Sequence, residues 1–175
     1  MKKIAIIGTG PTGIYTLLSL LESKKPLSIT LFEKAPLAGV GMPYSAVDNN
    51  QLMLANIASI EIPPITSTYL QWLRCQDATF LARYAVVKDA LHERDFLPRI
   101  LLGQYFRDQF LALLDLAKQR GFAVSVHQSC KVSDIEASES GVKLWADGMK
   151  AAQEFDFAVI ATGHVWPDAE LATQH

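Results

Sequence analysis

The sequence predicts an α/β domain built on a central parallel sheet, and three observations carry that prediction. An uninterrupted apolar run from Lys3 to Ile7 ends in a glycine turn. A helical stripe comes next, followed by a second β-rich run, Leu27 to Phe32. Late in the chain, Phe155 to Ala161 repeats the first pattern and closes on Thr162–Gly163. Short apolar runs without polar alternation suit parallel strands buried on both faces.

Each element follows from local chemistry. After Pro11, the residues Ile14, Leu17, Leu18 and Leu21 share one helical face, and Pro26 stops the helix. Strand, tight turn, helix and strand make a βαβ unit whose crossover is right-handed. Between Ala35 and Arg99 the pattern dissolves among Pro36, Pro43, Pro63, Pro64, Gly39, Gly41 and Asn49–Asn50. Short helices are expected at Ser67 to Cys75 and Ala78 to Tyr84. A structureless loop of that length is foreign to a compact domain, so residues 35–99 are expected to form an inserted, mostly helical lobe or a substrate-side cap.

Order returns at Gly103. Phe106, Phe110, Leu113, Leu114 and Ala117 make one stripe, Lys118 and Arg120 occupy the last turn, and Gly121 suits the C-cap. Phe122 to His127 reads as a strand. Lys131 to Ala137 and Val142 to Ala146, around Glu139–Ser140–Gly141, read as a hairpin. The core is therefore expected at residues 1–34 and 100–166 of a single domain spanning 1–175.

Composition narrows the classes. The chain has 175 residues, half of them hydrophobic, and 16 basic against 18 acidic residues give a net charge of −2. No block of Lys and Arg stands out, so nothing marks a nucleic-acid partner. Cys75 and Cys130 form no Cys-x-x-Cys pair, which argues against a disulfide framework, a zinc site or a redox dithiol. The scattered His127 and His175 offer no metal spacing. Met1–Lys2–Lys3 and Ile4 to Ile7 look like the start of a signal peptide, but Gly8 to Pro11 interrupts it. No stretch approaches a membrane span. By elimination the expected location is cytoplasmic, with no membrane partner.

The chemistry lies in Gly8–Thr9–Gly10–Pro11–Thr12–Gly13, a G-x-G-x-x-G between a buried strand and an apolar-faced helix. In such a turn Gly8 permits the sharp bend, Gly10 the approach of a pyrophosphate, and Gly13 close packing of helix on strand. Free N–H groups and the helix dipole then face the phosphates. Glu33, twenty residues after Gly13, ends the second strand, where an acid accepts hydrogen bonds from an adenosine ribose and repels a 2′-phosphate.

These features resemble the FAD-binding domain of the glutathione-reductase-like flavoproteins. The shared parts are the glycine turn, the ribose acid, a β-meander before a late strand, and a strand ending in Ala161–Thr162–Gly163. The resemblance narrows to bacterial FAD/NAD(P)-binding proteins of the YdhS type. It rests on Gly39–Val40–Gly41–Met42–Pro43–Tyr44–Ser45, Leu54–Ala55–Asn56, Leu97–Pro98–Arg99 and Gly103–Gln104–Tyr105, and covers nearly the whole chain. It implies a Rossmann-like FAD/NAD(P)-binding domain. The cofactor contacts it implies are Gly8, Gly10, Pro11, Thr12, Gly13, Glu33, Lys34, Gly41, Ala161, Thr162 and Gly163, with Val132 at the adenine.

Two departures stand out. Val40 separates Gly39 from Gly41, whereas many flavoproteins carry adjacent glycines there. The chain also stops at His175, before the strand, the helix and the nicotinamide region that complete such proteins. It is therefore expected to be an amino-terminal portion, with the rest supplied by a larger polypeptide or a partner subunit.

Other residues have two readings. Arg99 with Tyr105 is either a clamp for a phosphate or acidic substrate with a stacking ring, or a surface arginine and a core tyrosine. His92–Glu93–Arg94–Asp95 reads better as a solvated turn than as an acid–base pair. His164 faces either a cofactor or solvent. Trp72 and Trp145 read as packing, which leaves Trp166 as the tryptophan to test against a flavin. No nucleophile–base set is visible. The function implied is a flavin-dependent oxidoreductase that takes electrons from NAD(P)H, its substrate open and its catalytic residues unassigned. The alternative is a nucleotide-binding module, for FAD or NAD, without turnover of its own.

Overall fold

Lys3–Ile7 forms β1, Pro11–Leu20 forms α1 and Ser28–Phe32 forms β2, the expected strand–helix–strand unit. The structure, a computed structural model, describes residues 1–164. β1 and β2 pair in parallel from Lys3 opposite Ser28 to Ile7 opposite Phe32. Four of the five β1 residues are buried, which is why the run shows no alternation.

Between β2 and the next long element lie two short helices, α2 (Tyr69–Cys75) and α3 (Ala78–Ala82), with 3-10 turns at Met42–Tyr44, Ser59–Glu61 and Lys88–Ala90. α2 begins two residues after the expected start, because Thr68 caps it. The Thr68 hydroxyl accepts the Gln71 N–H (3.1 Å), and the Thr68 N–H donates to Oε1 of Gln71 (2.9 Å). Ala55, Ile62, Tyr69, Trp72, Leu73 and Leu81 from this region share one buried cluster with Ile6 of β1 and Ile14 and Leu17 of α1.

α4 runs from Arg99 to Gln119, four residues earlier than the apolar stripe suggests. Ile100, Leu101 and Leu102, which follow Arg99, are all buried in succession, so the periodicity of the first turn of α4 is masked. Gly121, at φ +78°, follows the helix as expected. β3 (Ala123–His127) pairs in parallel with β2. β4 (Val132–Ser138), β5 (Gly141–Ala146) and β6 (Gln153–Phe155) then form the antiparallel meander.

The expected single strand from Phe155 to Ala161 is in fact two. Phe155 ends β6 opposite Val142, the chain changes sheets at Asp156, and β7 (Phe157–Ile160) pairs in parallel with β1. β7 is not buried as expected: it is an edge of the described sheet, with Phe157 59% and Ile160 65% exposed. The main sheet has the order β3–β2–β1–β7.

Alternation across the sheet makes three layers. Ile6, Ile29 and Leu31 point into the cluster with α1 and α4, while Ala5, Ile7 and Phe32 meet Leu144, Ala146 and Phe155 of the meander. No helix among the described residues is long and apolar enough to cross a membrane.

Candidate functional site

β1 has β2 on one side and β7 on the other. The chain passes from β1 through α1 to β2 and on to β3, then returns across the sheet to β7, so the strand order reverses between β1 and β7. Open α/β sheets bind ligands in the crevice at such a switch point. The glycine turn occupies it. The Gly8 N–H donates to the Phe32 carbonyl (2.8 Å), and Ala161, at the end of β7, donates to the Ile7 carbonyl (2.8 Å). A Cβ on Gly13 would collide with the Gly8 carbonyl, so the helix sits on the turn as closely as backbone allows.

A second backbone segment joins this turn. A Cβ on Gly10 would lie 3.3 Å from Cα of Gly41, and one on Gly41 would lie 2.9 Å from Cδ of Pro11. Gly41 has φ +82° and Gly39 has φ +83°, with Val40 buried between them. The interruption noted in the sequence therefore spaces two left-handed residues around one apolar anchor.

The cradle suits an anion. Gly10 is the N-cap of α1 and supplies no side-chain cap, and the first turn carries no acid. Among the described residues, the N–H groups of Gly10, Thr12 and Gly13 have no protein acceptor. Unsatisfied donors at a helix start, with the positive end of its dipole, are what a phosphate requires.

Glu33 follows β2 and is buried. Its Oε2 accepts the Thr9 N–H (3.0 Å) and the Thr9 hydroxyl (2.6 Å), and its Oε1 accepts the Ala35 N–H (2.9 Å). A carboxylate offers about four lone-pair positions, so three bonds leave room for one more donor. Among the described residues the one ion pair is Lys2–Asp156, so hydrogen bonds rather than a cation hold the Glu33 charge.

Lys34 is exposed beside Glu33, Thr12 is exposed on the first turn of α1, and Pro11 lies against Gly41. Ala161 is buried against Gly8, while Thr162 and Gly163 are exposed beyond it. Val132 starts β4, half-buried on the meander core. The connection before it is tied to the acid, because the Cys130 N–H donates to the Glu33 carbonyl (2.9 Å).

Sequence reasoning missed the residues that lock these parts together. Thr9 is fully buried; its hydroxyl donates to Glu33 and accepts the Gly39 N–H (2.9 Å). It occupies an x of the glycine motif, a position the motif leaves blank. Gln128 accepts the Ala38 N–H (2.8 Å) and Arg107 donates to the Ala38 carbonyl (2.6 Å), contacts between distant segments with no sequence signal.

Several secondary candidates resolve to structure. Tyr105 is fully buried with its hydroxyl on the Ser67 carbonyl (2.8 Å), so it is a core residue and no partner for Arg99. His92 to Asp95 form a turn, with Oδ2 of Asp95 accepting the His92 N–H (2.7 Å). Trp72 packs in the core with its indole N–H on Asp108 (2.9 Å). Trp145 lies half-buried on β5 and His164 is exposed. Trp166 and His175 fall outside the described residues.

Residues 5–165 match the sequence profile of a family described as FAD-NAD(P)-binding. The chain is 62% identical over 174 residues to the protein YdhS of Escherichia coli (strain K12), across 99% of this chain and 33% of that protein. It thus spans about a third of the length of this curated relative. Among solved structures, S-allyl-L-cysteine S-oxygenase from Allium sativum superposes with a TM-score of 0.58 at 16% identity, over 93% of this chain and 36% of that one. Tmm from Pelagibacter sp. strain HTCC7211 gives 0.56 at 18% identity, over 93% and 36%. At such identities the likeness concerns the fold.

Proposed function

The chain belongs to the FAD-NAD(P)-binding family, and we propose that its cradle holds FAD as part of a flavin-dependent, NAD(P)-linked oxidoreductase. The observation that carries this reading is the convergence of unpaired N–H groups of Gly10, Thr12 and Gly13 with the buried Glu33 carboxylate at one sheet switch point. The donors suit a pyrophosphate and the carboxylate suits a ribose hydroxyl, so the two together select a dinucleotide.

The arrangement accommodates this group. Gly10 and Gly41 meet Cα to Cα, with no side chain of their own, so in this reading backbone N–H groups meet the phosphates. Glu33 takes one ribose hydroxyl in its remaining acceptor position, and its charge disfavours a 2′-phosphate. In this reading Val132, Lys34, Thr162 and Gly163 are further contacts to the dinucleotide. FAD over NAD is favoured by the meander and by the strand ending in Ala161–Thr162–Gly163, which a plain NAD domain does not need. Bound flavin supplies the redox chemistry; the chain supplies binding and orientation.

The test is the visible spectrum of the freshly purified protein, with mass spectrometry of what heat releases. FAD in the supernatant, or uptake of added FAD, is the expected result. A colourless protein that binds ADP but refuses FAD would leave a bare nucleotide module instead.

A further inference from the structure

Arg99 is the residue the cofactor reading leaves unused. It is half-buried at the start of α4, its N–H donates to the Met53 carbonyl (2.8 Å), and its Nε donates to the Leu54 carbonyl (3.1 Å). Two other arginines, one within α4 and one just past its end, behave differently. Arg107 and Arg120 each spend a terminal guanidinium nitrogen on a backbone carbonyl, Ala38 and Leu21 respectively. Arg99 is pinned by Nε alone. Among the described residues its two terminal nitrogens have no acceptor, and no carboxylate lies within 4.0 Å. A guanidinium fixed by its shaft, with its fork open, is poised for a planar two-oxygen anion.

Tyr44 flanks it. Arg99, Gly103 and Phe106 fall on one stripe of α4. A Cβ on Gly103 would strike the Tyr44 carbonyl, and the Tyr44 ring packs on Phe106 at 5.3 Å. The Tyr44 hydroxyl has no partner among the described residues. Burial raises its pKa, and the Arg99 charge opposes that rise. The Tyr44 N–H donates to the Gly41 carbonyl (3.1 Å), so this pair lies one turn from the Gly10–Gly41 contact. The segment that pins Arg99 exposes apolar side chains, Met53 at 40% and Leu54 at 53%.

We propose that Arg99 and Tyr44 bind the carboxylate of an apolar substrate beside the dinucleotide cradle. The proposal names a substrate class for the site and rests on the cofactor reading. One guanidinium and one phenol match the single charge of a carboxylate, whereas a phosphate dianion calls for further donors. Exposed Met53 and Leu54 supply the apolar contact for the body of the molecule.

The test is calorimetric titration of the full chain with octanoate, with 1-octanol as the neutral control and FAD uptake measured separately. Octanoate binds saturably and octanol does not. Arg99→Met weakens octanoate more than tenfold and Arg99→Lys only partly restores it, as a point charge cannot replace the fork. Tyr44→Phe, which keeps the packing on Phe106, weakens it several-fold. FAD uptake is unchanged in all three variants. Equal binding of octanoate and octanol, or octanoate binding unaffected by Arg99→Met, overturns the proposal. So does a parallel loss of FAD and ADP affinity in Arg99→Met, which would make the pyrophosphate the partner of Arg99. Octanoate binding that depends on Arg99 in a protein refusing FAD would support the anion site and remove the cofactor reading alone.

Discussion

Thr9 joins three segments through one oxygen: the glycine turn, the acid after β2 and the loop carrying Gly39 and Gly41. Thr9→Val keeps the β-branched shape and removes that oxygen. The Gly39 N–H would then be buried without an acceptor, at a cost of about 1–3 kcal/mol. Glu33 would keep only the backbone donors of Thr9 and Ala35. Thermal unfolding should show the lower stability, and titration with ADP a weaker affinity, with Thr9→Ser recovering most of both. If Thr9→Val lost stability but bound ADP like the parent, the hydroxyl would hold the fold without orienting the acid. In the sequence, Gly8, Gly10, Gly13 and Glu33 were legible because each answers a fixed geometric need. Thr9 was not, because its partners lie 24 and 30 positions away.

At the scale of elements, α4 is the beam against which the site loop is set. Gly103 lies mid-helix, where alanine normally gains up to about 1 kcal/mol. Here the added Cβ would collide with the Tyr44 carbonyl oxygen and sit 3.2 Å from its carbon. Backbone gives way poorly, so overpacking should prevail and Gly103→Ala should destabilise by about 1–3 kcal/mol. Because Tyr44 is bonded to Gly41, the same change should reduce FAD uptake. Chemical denaturation together with the flavin spectrum checks both parts; a more stable variant with normal uptake would show that the 3-10 turn yields freely. The stripe from Phe106 to Ala117 announced α4, but in its first turn three apolar residues in a row follow Arg99, a run that could not be phased. The hairpin of β4 and β5 was legible from its two runs around Glu139–Ser140–Gly141. The break at Asp156 was not, since Phe155 to Ile160 reads as one run whichever sheet each half joins.

For the whole molecule, Asp156 is the joint between the two sheets. Its carboxylate accepts from Nζ of Lys2 (2.6 Å) and from the Lys3 N–H (2.7 Å), and its own N–H returns a bond to the Lys3 carbonyl (2.8 Å). The bond from Lys2, then that from Lys3, holds the carboxyl below its ordinary value. A depressed carboxylate contributes stability above the unfolded value of about 3.9 and loses it as pH falls through the lower folded value. Asp156→Asn should therefore melt below the parent at neutral pH, and the gap should close in acid. Melting curves from neutral to strongly acidic pH read this directly; a gap that widened in acid would reverse the assigned sign.

By itself the sequence determined the fold class, the order of most elements and the glycine turn between β1 and α1. Apolar runs, helical stripes and glycine spacing are local statements about burial and backbone freedom, and they need no partner to be read. Only the tertiary structure decided which distant groups meet. It placed Gly41 on Gly10, put the Thr9 hydroxyl between Glu33 and Gly39, and set the Tyr44 backbone against Gly103, one helical turn from Arg99. The physical reason is that a hydrogen bond or a backbone contact between segments leaves no period in either one. Such contacts arise only when the sheet order brings the carboxyl ends of β1, β2 and β7 to one edge.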